Sequence, residues 1–265
     1  MQISLNTSKW YDRLWASFIF FTRLPLWRLH QPPRECYRSV VEYWPLTGWL
    51  TAGVMAAVVY FGSIWMPYPV AVLLAIASRI LLTGALHEDG LCDFFDGFGG
   101  GGNDRQRILD IMKDSRTGTY GVLGIVLYGL LLFATLVSMP RTMAALTILA
   151  ADPFAKMVAG QIIMMMPYAR NEEESKAKTV YRKMSITAGI RLAAQGLLPL
   201  AAYIYVWRNA GIDWQILIFA PCIVMYMLYL LIWKRLHGYT GDCCGALFLL
   251  VELTFYIAAA SMVQV

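Results

Sequence analysis

Apolar residues run along this chain in long blocks, not in the alternating or one-face spacing of a soluble fold. Seven blocks can be drawn, at about 46–66, 70–86, 119–139, 142–166, 192–207, 214–233 and 246–263. Each approaches the roughly 20 residues that a bilayer-spanning helix needs. The linkers alternate in character. Met66-Pro67-Tyr68-Pro69 is short and uncharged, and the turns near Arg141 and Arg208 hold one basic residue each. The N-terminal segment and the stretches 87–118, 167–191 and 234–245 are longer and polar. Residues 10–29 differ again, because Trp10, Trp15, Phe18, Phe21 and Trp27 mix there with Arg13, Arg23 and Arg28. That pattern suits an interfacial helix, with a re-entrant helix as the second reading, and Pro32-Pro33 ends it. The expected fold is all-α: a polytopic membrane bundle of about seven transmembrane helices plus this N-terminal helix. Residues 1–265 are expected to form one integral-membrane domain.

Composition supports the same class. The chain is 58% hydrophobic and 15% charged, against roughly 45–50% and 25% in soluble domains. That excludes a disordered chain, a basic nucleic-acid-binding domain and an ordinary cytosolic enzyme. The net charge of +5 is explained by its placement. Of the Lys and Arg residues, 18 fall in the N-terminal segment and the three larger loops, and 2 fall on the opposite side. By the positive-inside rule, the N-terminus and those loops are expected in the cytoplasm and the C-terminus outside. Trp15–Phe21 is too short, and too closely ringed by charge, to be a signal peptide. Five cysteines with no C-x-x-C pair are expected to be free thiols.

The chemistry concentrates in Leu86–Gly121, which holds 7 of the 17 acidic residues. Asp89, Asp93 and Asp96 are spaced i, i+4, i+7, which aligns them on one face if helix 70–86 continues past the bilayer. Stacked like charges repel unless a cation sits among them, and carboxylate oxygens suit Mg²⁺ or Mn²⁺. His87 and Glu88 adjoin the cluster. Gly99–Gly102 reads either as a hinge or as backbone open to a phosphate. Asn103-Asp104 is expected to cap a helix over Arg105–Lys113, followed by Lys113-Asp114-Ser115-Arg116, whose cations could hold diphosphate oxygens. The candidates are thus Asp89, Asp93, Asp96 and Glu88 for the metal, with Asp114 a further possible ligand. Asp96, His87 and Asp114 are the candidates for catalysis, and Lys113, Ser115, Arg116 and Asp242 for substrate binding.

Lys234 to Asp242 reads either as a basic turn at the interface or as a substrate-phosphate loop. Asp152 and Lys156, one helical turn apart, read either as an ion pair at the Pro153 kink or as part of a site, and Glu252 lies inside the last span. Glu172-Glu173-Glu174 beside Lys176 and Lys178 reads as a solvated loop face.

Taken in order, Phe20-Phe21-Thr22-Arg23-Leu24-Pro25, Trp44-Pro45-Leu46-Thr47-Gly48, His87-Glu88-Asp89-Gly90-Leu91-Cys92-Asp93-Phe94-Phe95-Asp96-Gly97, Ile111 to Gly118 and Gly241-Asp242 resemble the cobalamin synthase family (adenosylcobinamide-GDP ribazoletransferase). Cys92, Phe94-Phe95 and Cys243-Cys244 depart from the family pattern, and no aspartate is lost. The resemblance implies transfer of cobinamide phosphate from adenosylcobinamide-GDP to α-ribazole or its 5′-phosphate, releasing GMP, with Mg²⁺ as cofactor. A bacterial inner-membrane location among lipid, no nucleic-acid partner and a possible homo-oligomer are the further expectations. On that reading Asp96 or His87 is the base, and Lys113 and Arg116 hold the GDP end. Two rivals stand beside it. A CDP-alcohol phosphotransferase of lipid synthesis would show D-G-x-x-A-R, whereas Asp93-Phe94 stand where Ala-Arg is expected. An ion-coupled transporter would rely on Asp152, Lys156 and Glu252.

Overall fold

The structure is a computed structural model that describes residues 9–170, 180–209 and 212–262. The expected solvated face at Glu172–Lys178 lies outside the described residues. Helix α1 (Trp10–Phe21) rises about 18 Å, too little to cross a hydrocarbon core of about 30 Å. It lies instead on a 3-10 helix, Arg34–Tyr43, which begins directly after Pro32-Pro33. Ser17 Oγ donates to the Val40 carbonyl at 2.9 Å, and His30 Nε2 meets Asp12 Oδ1 at 2.6 Å. Ala16 and Phe21 are buried while Trp10 and Leu29 are exposed. An amphipathic helix that stays at one end of the bundle accounts for this arrangement.

Helix α2 (Trp44–Trp65) accommodates Pro45 in its first turn, where a missing N–H leaves no broken bond. The next pair departs from expectation. Segment 70–86 does not run on into the acidic stretch. Helix α3 (Tyr68–Thr83) stops, helix α4 (Leu86–Gly100) starts, and their axes differ by 91°. The break is made by Gly84 (φ +66°) and Ala85 (φ +58°), both left-handed. Glycine adopts that conformation freely, and a Cβ on Gly84 would run into the Arg23 side chain. For Ala85 the same conformation costs roughly 1–2 kcal/mol. The aspartates therefore ride on a helix of their own.

Helix α5 (Arg105–Lys113) has the expected bounds, with the Asp104 side chain accepting from the Gln106 and Arg107 amides. Only the end of the glycine run before it is a turn, where Gly102 (φ +60°) is exposed with open space beside it. Gly99 and Gly100 complete α4, and added Cβ atoms at Gly99 and Gly101 would strike Tyr120 and Ile108. These glycines let α5 and the following helix pack close to α4.

The remaining helices are α6 (Thr119–Ser138), α7 (Arg141–Gly160), α8 (Ile162–Met165), α9 (Ile186–Trp207), α10 (Trp214–Leu236) and α11 (Gly241–Ser261). The last and third-last start earlier than the apolar runs suggest. Ser185 and Thr240 cap them, accepting from the Ala188 and Cys243 amides, so polar first turns join the helices. Among the described residues, six helices are long and apolar enough to cross a membrane, or seven if the bent pair counts as one span. The protein is a polytopic helical membrane protein. Its centre is α11 and the α7–α8 run, 78% and 67% buried, around which α6, α9 and α10 are only 22–28% buried.

Two ion pairs tie this centre together. Lys156 Nζ lies 2.6 Å from Asp152 Oδ1, and Thr51 Oγ1 bridges both partners at 2.7 and 3.0 Å. Pro153 sits within α7 beside them. Arg79 Nη1 donates to both oxygens of Glu252 at 2.7 and 2.6 Å, and Arg79 Nη2 donates to Tyr128 Oη at 2.9 Å. All four charged groups are buried. Asp152 and Lys156 thus form the ion pair read for them beside Pro153, and Glu252 is paired with Arg79. The five cysteines are free.

Candidate functional site

Helices α4 and α11 touch backbone to backbone where they begin. A Cβ on Gly90 would lie 3.1 Å from Asp242 Cα, and one on Gly245 would lie 3.1 Å from the His87 carbonyl oxygen. This approach brings Asp89 and Asp242 to the rim of one cavity of about 320 Å³, which Arg170 also lines. The walls are aromatic, contributed by Phe20, Phe21, Trp44, Tyr168 and Tyr181. Phe21 and Trp44 stack at 5.3 Å, and Phe20 meets Tyr181 edge-on at 6.2 Å. Four separate sequence blocks therefore converge here: Phe20-Phe21, Trp44, His87 to Asp89, and Gly241-Asp242.

A second cavity of about 320 Å³ shares Arg170 with the first and is also lined by Arg105, Lys113, Gln106 and Asp110. The segment carrying Arg170 is fixed by the loop after α10. Tyr239 N donates to the Pro167 carbonyl at 2.9 Å, and Ala169 N donates to the Tyr239 carbonyl at 2.8 Å. His237, at φ +51°, turns the chain out of α10 to make this pairing. The basic turn of the sequence thus serves as a brace, and its Gly241-Asp242 end reaches the cavity.

The candidate residues separate into groups. Asp89 is exposed at the rim, and Asp93, one turn on, is half-buried. Asp96 is buried and accepts from the Gly118 amide at 2.6 Å and the Gly121 amide at 2.8 Å. It therefore occupies the α6 N-terminus, where unpaired amides and the helix dipole favour an anion. Glu88 turns away from the aspartate face, to 3.9 Å from Arg79 Nη2. His87 is buried between the rings of Phe21, Trp44 and Phe248. Among the described residues, no three His, Cys, Asp or Glu side chains lie close enough to hold one ion. The i, i+4, i+7 register persists in α4, yet the three aspartates grade from solvent into the core.

The Lys113–Arg116 block divides as well. Lys113 joins the basic cavity. Arg116, with an 88% exposed side chain, pairs with Asp114 at 2.8 Å, and this hydrogen bonding holds the Asp114 carboxyl below its ordinary range. Asp114, Ser115 and Arg116 line neither cavity. Sequence reasoning missed Arg105, Tyr168, Arg170 and Tyr181. Arg105 and Arg170 stood out only as topological charges, and no spacing linked the two tyrosines to the acidic helix.

The fold is that of a polytopic helical membrane protein, with an aromatic cavity lined by Asp89 and Asp242 and a second cavity lined by cations. The chain belongs to the cobalamin-5-phosphate synthase family, whose profile matches residues 13–260. It is 36% identical over 257 residues to the adenosylcobinamide-GDP ribazoletransferase of Vibrio vulnificus, covering 96% of this chain and 97% of that one. The corresponding Shewanella baltica protein is 34% identical over 241 residues, 89% of each chain. The Leptospira interrogans protein is 31% identical over 250 residues, covering 93% and 94%. No solved structure matches the chain.

Proposed function

We propose that this protein is an adenosylcobinamide-GDP ribazoletransferase, which joins cobinamide phosphate to α-ribazole or its 5′-phosphate and releases GMP. The observation that carries this is the convergence of the four sequence blocks on one cavity rimmed by Asp89, Asp242 and Arg170. In the transfer, an acceptor hydroxyl oxygen bonds to the cobinamide-side phosphorus as the bond to the bridging diphosphate oxygen breaks.

The chain's residues fit a magnesium ion as partner to this step. Mg²⁺ takes one or two carboxylates and fills its remaining positions with water and phosphate. Asp89, exposed at the rim, and Asp93, half-buried one turn further along α4, present such a pair. The ion would neutralise diphosphate charge. Asp242, carried in by α11, takes the hydroxyl proton. Asp96 holds the 118–121 segment against α4, and Lys113 faces the nucleotide.

Offering radiolabelled GDP-cobinamide and α-ribazole to purified protein in vesicles tests the activity. Cobalamin and GMP should appear together, stop with chelator and resume with Mg²⁺. GMP release without ribazole incorporation would overturn the proposal, and transfer of label to lipid would favour the phospholipid-synthase alternative. We also place the site on the cytoplasmic side of the inner membrane, on the strength of the basic-residue asymmetry. Reporter fusions after Met66 and Met139 should read outside and one after Gly102 inside. An outside signal at Gly102 would deny nucleotide access to the acidic helix.

A further inference from the structure

Among the described residues, Arg170 is the one side chain shared by the two cavities described above. Its place is set by main-chain atoms. Nη2 donates to the Leu109 carbonyl at 2.7 Å, and the preceding Ala169 is paired with Tyr239. Arg105 is tethered in the same way, its Nε donating to the Leu236 carbonyl at 2.8 Å and its Nη2 to the Ala169 carbonyl. A guanidinium has five N–H donors, so one or two bonds to carbonyls orient it while others remain for a ligand. A fork held this way matches phosphate oxygens in pairs.

The two cavities differ in chemistry. One is walled by Phe20, Phe21, Trp44, Tyr168 and Tyr181, with two carboxylates at its rim. The other sets Arg105, Lys113 and Arg170 against Asp110, the one acid among its described lining residues. Each is within the size range of small-molecule sites, roughly 300–1,000 Å³. The substrates of the proposed reaction differ in the same sense. The nucleotide ester carries a charged diphosphate, whereas ribazole presents a flat, largely apolar benzimidazole with one free ring-nitrogen acceptor. Guanine, with donors and acceptors along its edge, suits an aromatic box of this kind less well, because burying polar groups without partners is costly.

We propose that the two cavities are the half-sites of one transfer reaction, the basic one seating the nucleotide phosphates and the aromatic one the acceptor's base, with Arg170 on the shared wall holding the phosphate that changes hands. This assignment rests on the reaction proposed above. It gives the acceptor hydroxyl and the phosphorus a common boundary. The new bond forms there, the bridging oxygen departs toward Arg105 and Lys113 with GMP, and the hydroxyl proton passes to Asp242.

The test uses the full-length protein in detergent or nanodiscs and two readouts: equilibrium dialysis of radiolabelled GMP, and KM for each substrate. Lys113→Gln and Arg105→Gln should weaken GMP binding and raise the GDP-cobinamide KM about tenfold, leaving the α-ribazole KM within about twofold. Tyr181→Leu should do the reverse. Arg170→Lys should lower kcat about a hundredfold while the melting curve stays near wild type. Lys113→Gln alters an exposed side chain, so it remains informative if an arginine variant folds poorly. Wild-type GMP binding in both Gln variants, or loss of GMP binding in Tyr181→Leu, would overturn the assignment. GMP binding is read without turnover. A wild-type protein that binds GMP through Lys113 but makes no cobalamin would therefore count against the reaction and not against the nucleotide's seat.

Discussion

Asp89→Asn is expected to slow ribazole transfer by about three orders of magnitude. Charge neutralisation by a bound metal is worth several kcal/mol at a transition state, and each 1.36 kcal/mol is tenfold in rate. Asparagine is nearly isosteric, and Asp89 is exposed at the start of α4, so insertion and folding should survive. Asp93→Asn should behave alike, and raised Mg²⁺ or Mn²⁺ should restore part of the rate in both. Asp242→Asn should be as slow but gain nothing from added metal, because its proposed part is to accept a proton. Asp96→Asn should separate from all three. It keeps one acceptor for two amides, those of Gly118 and Gly121, and turns an N–H₂ toward the other. Its first effect should be a loss of stability of about 1–3 kcal/mol, seen as a lower melting temperature. Wild-type turnover by Asp89→Asn would remove the cavity from consideration as the active site.

Legibility in the sequence followed the range of the interaction involved. The spans were readable because a run of apolar residues is itself the cause of a membrane helix. The α5 cap was readable for a similar reason, since Asp104 acts on amides two and three residues away. The bend at Gly84-Ala85 was not, because nothing in an apolar run announces a left-handed pair, and Arg23, 61 residues earlier, fills the space a side chain would need. Asp96 shows the same limit. Its spacing from Asp93 suggested a common ligand set, but its partners arrive from 22 and 25 residues downstream. Arg170 had no local signal, because a bridge to Tyr239 fixes its position.

Removing one member of the buried Arg79–Glu252 pair should be the most damaging change outside the cavities. Arg79 is 2% exposed and Glu252 0%, and Tyr256 Oη also donates to Glu252 at 2.9 Å. Arg79→Met would strand Glu252, with Glu88 nearby, and breaking such a pair costs about 3–5 kcal/mol because a charge remains buried without its partner. Arg79 lies on α3 one turn before the bend and Glu252 lies on α11, so the pair joins the two helices that position α4. The variant should therefore lose activity together with stability, although neither residue reaches a cavity. Replacing both, as Arg79→Met with Glu252→Leu, should recover most of the melting temperature, since apolar substitution of an entire buried pair is often neutral or stabilising. A double variant as unstable as the single one would show that the two residues act independently. Recovery of stability without activity would mean that α4 needs the pair's geometry and not merely a packed core. An ion-coupled transporter built on these acids would lose transport in the double variant however well it folded. A transferase whose site lies at the end of the bundle should regain turnover as its helices are restored.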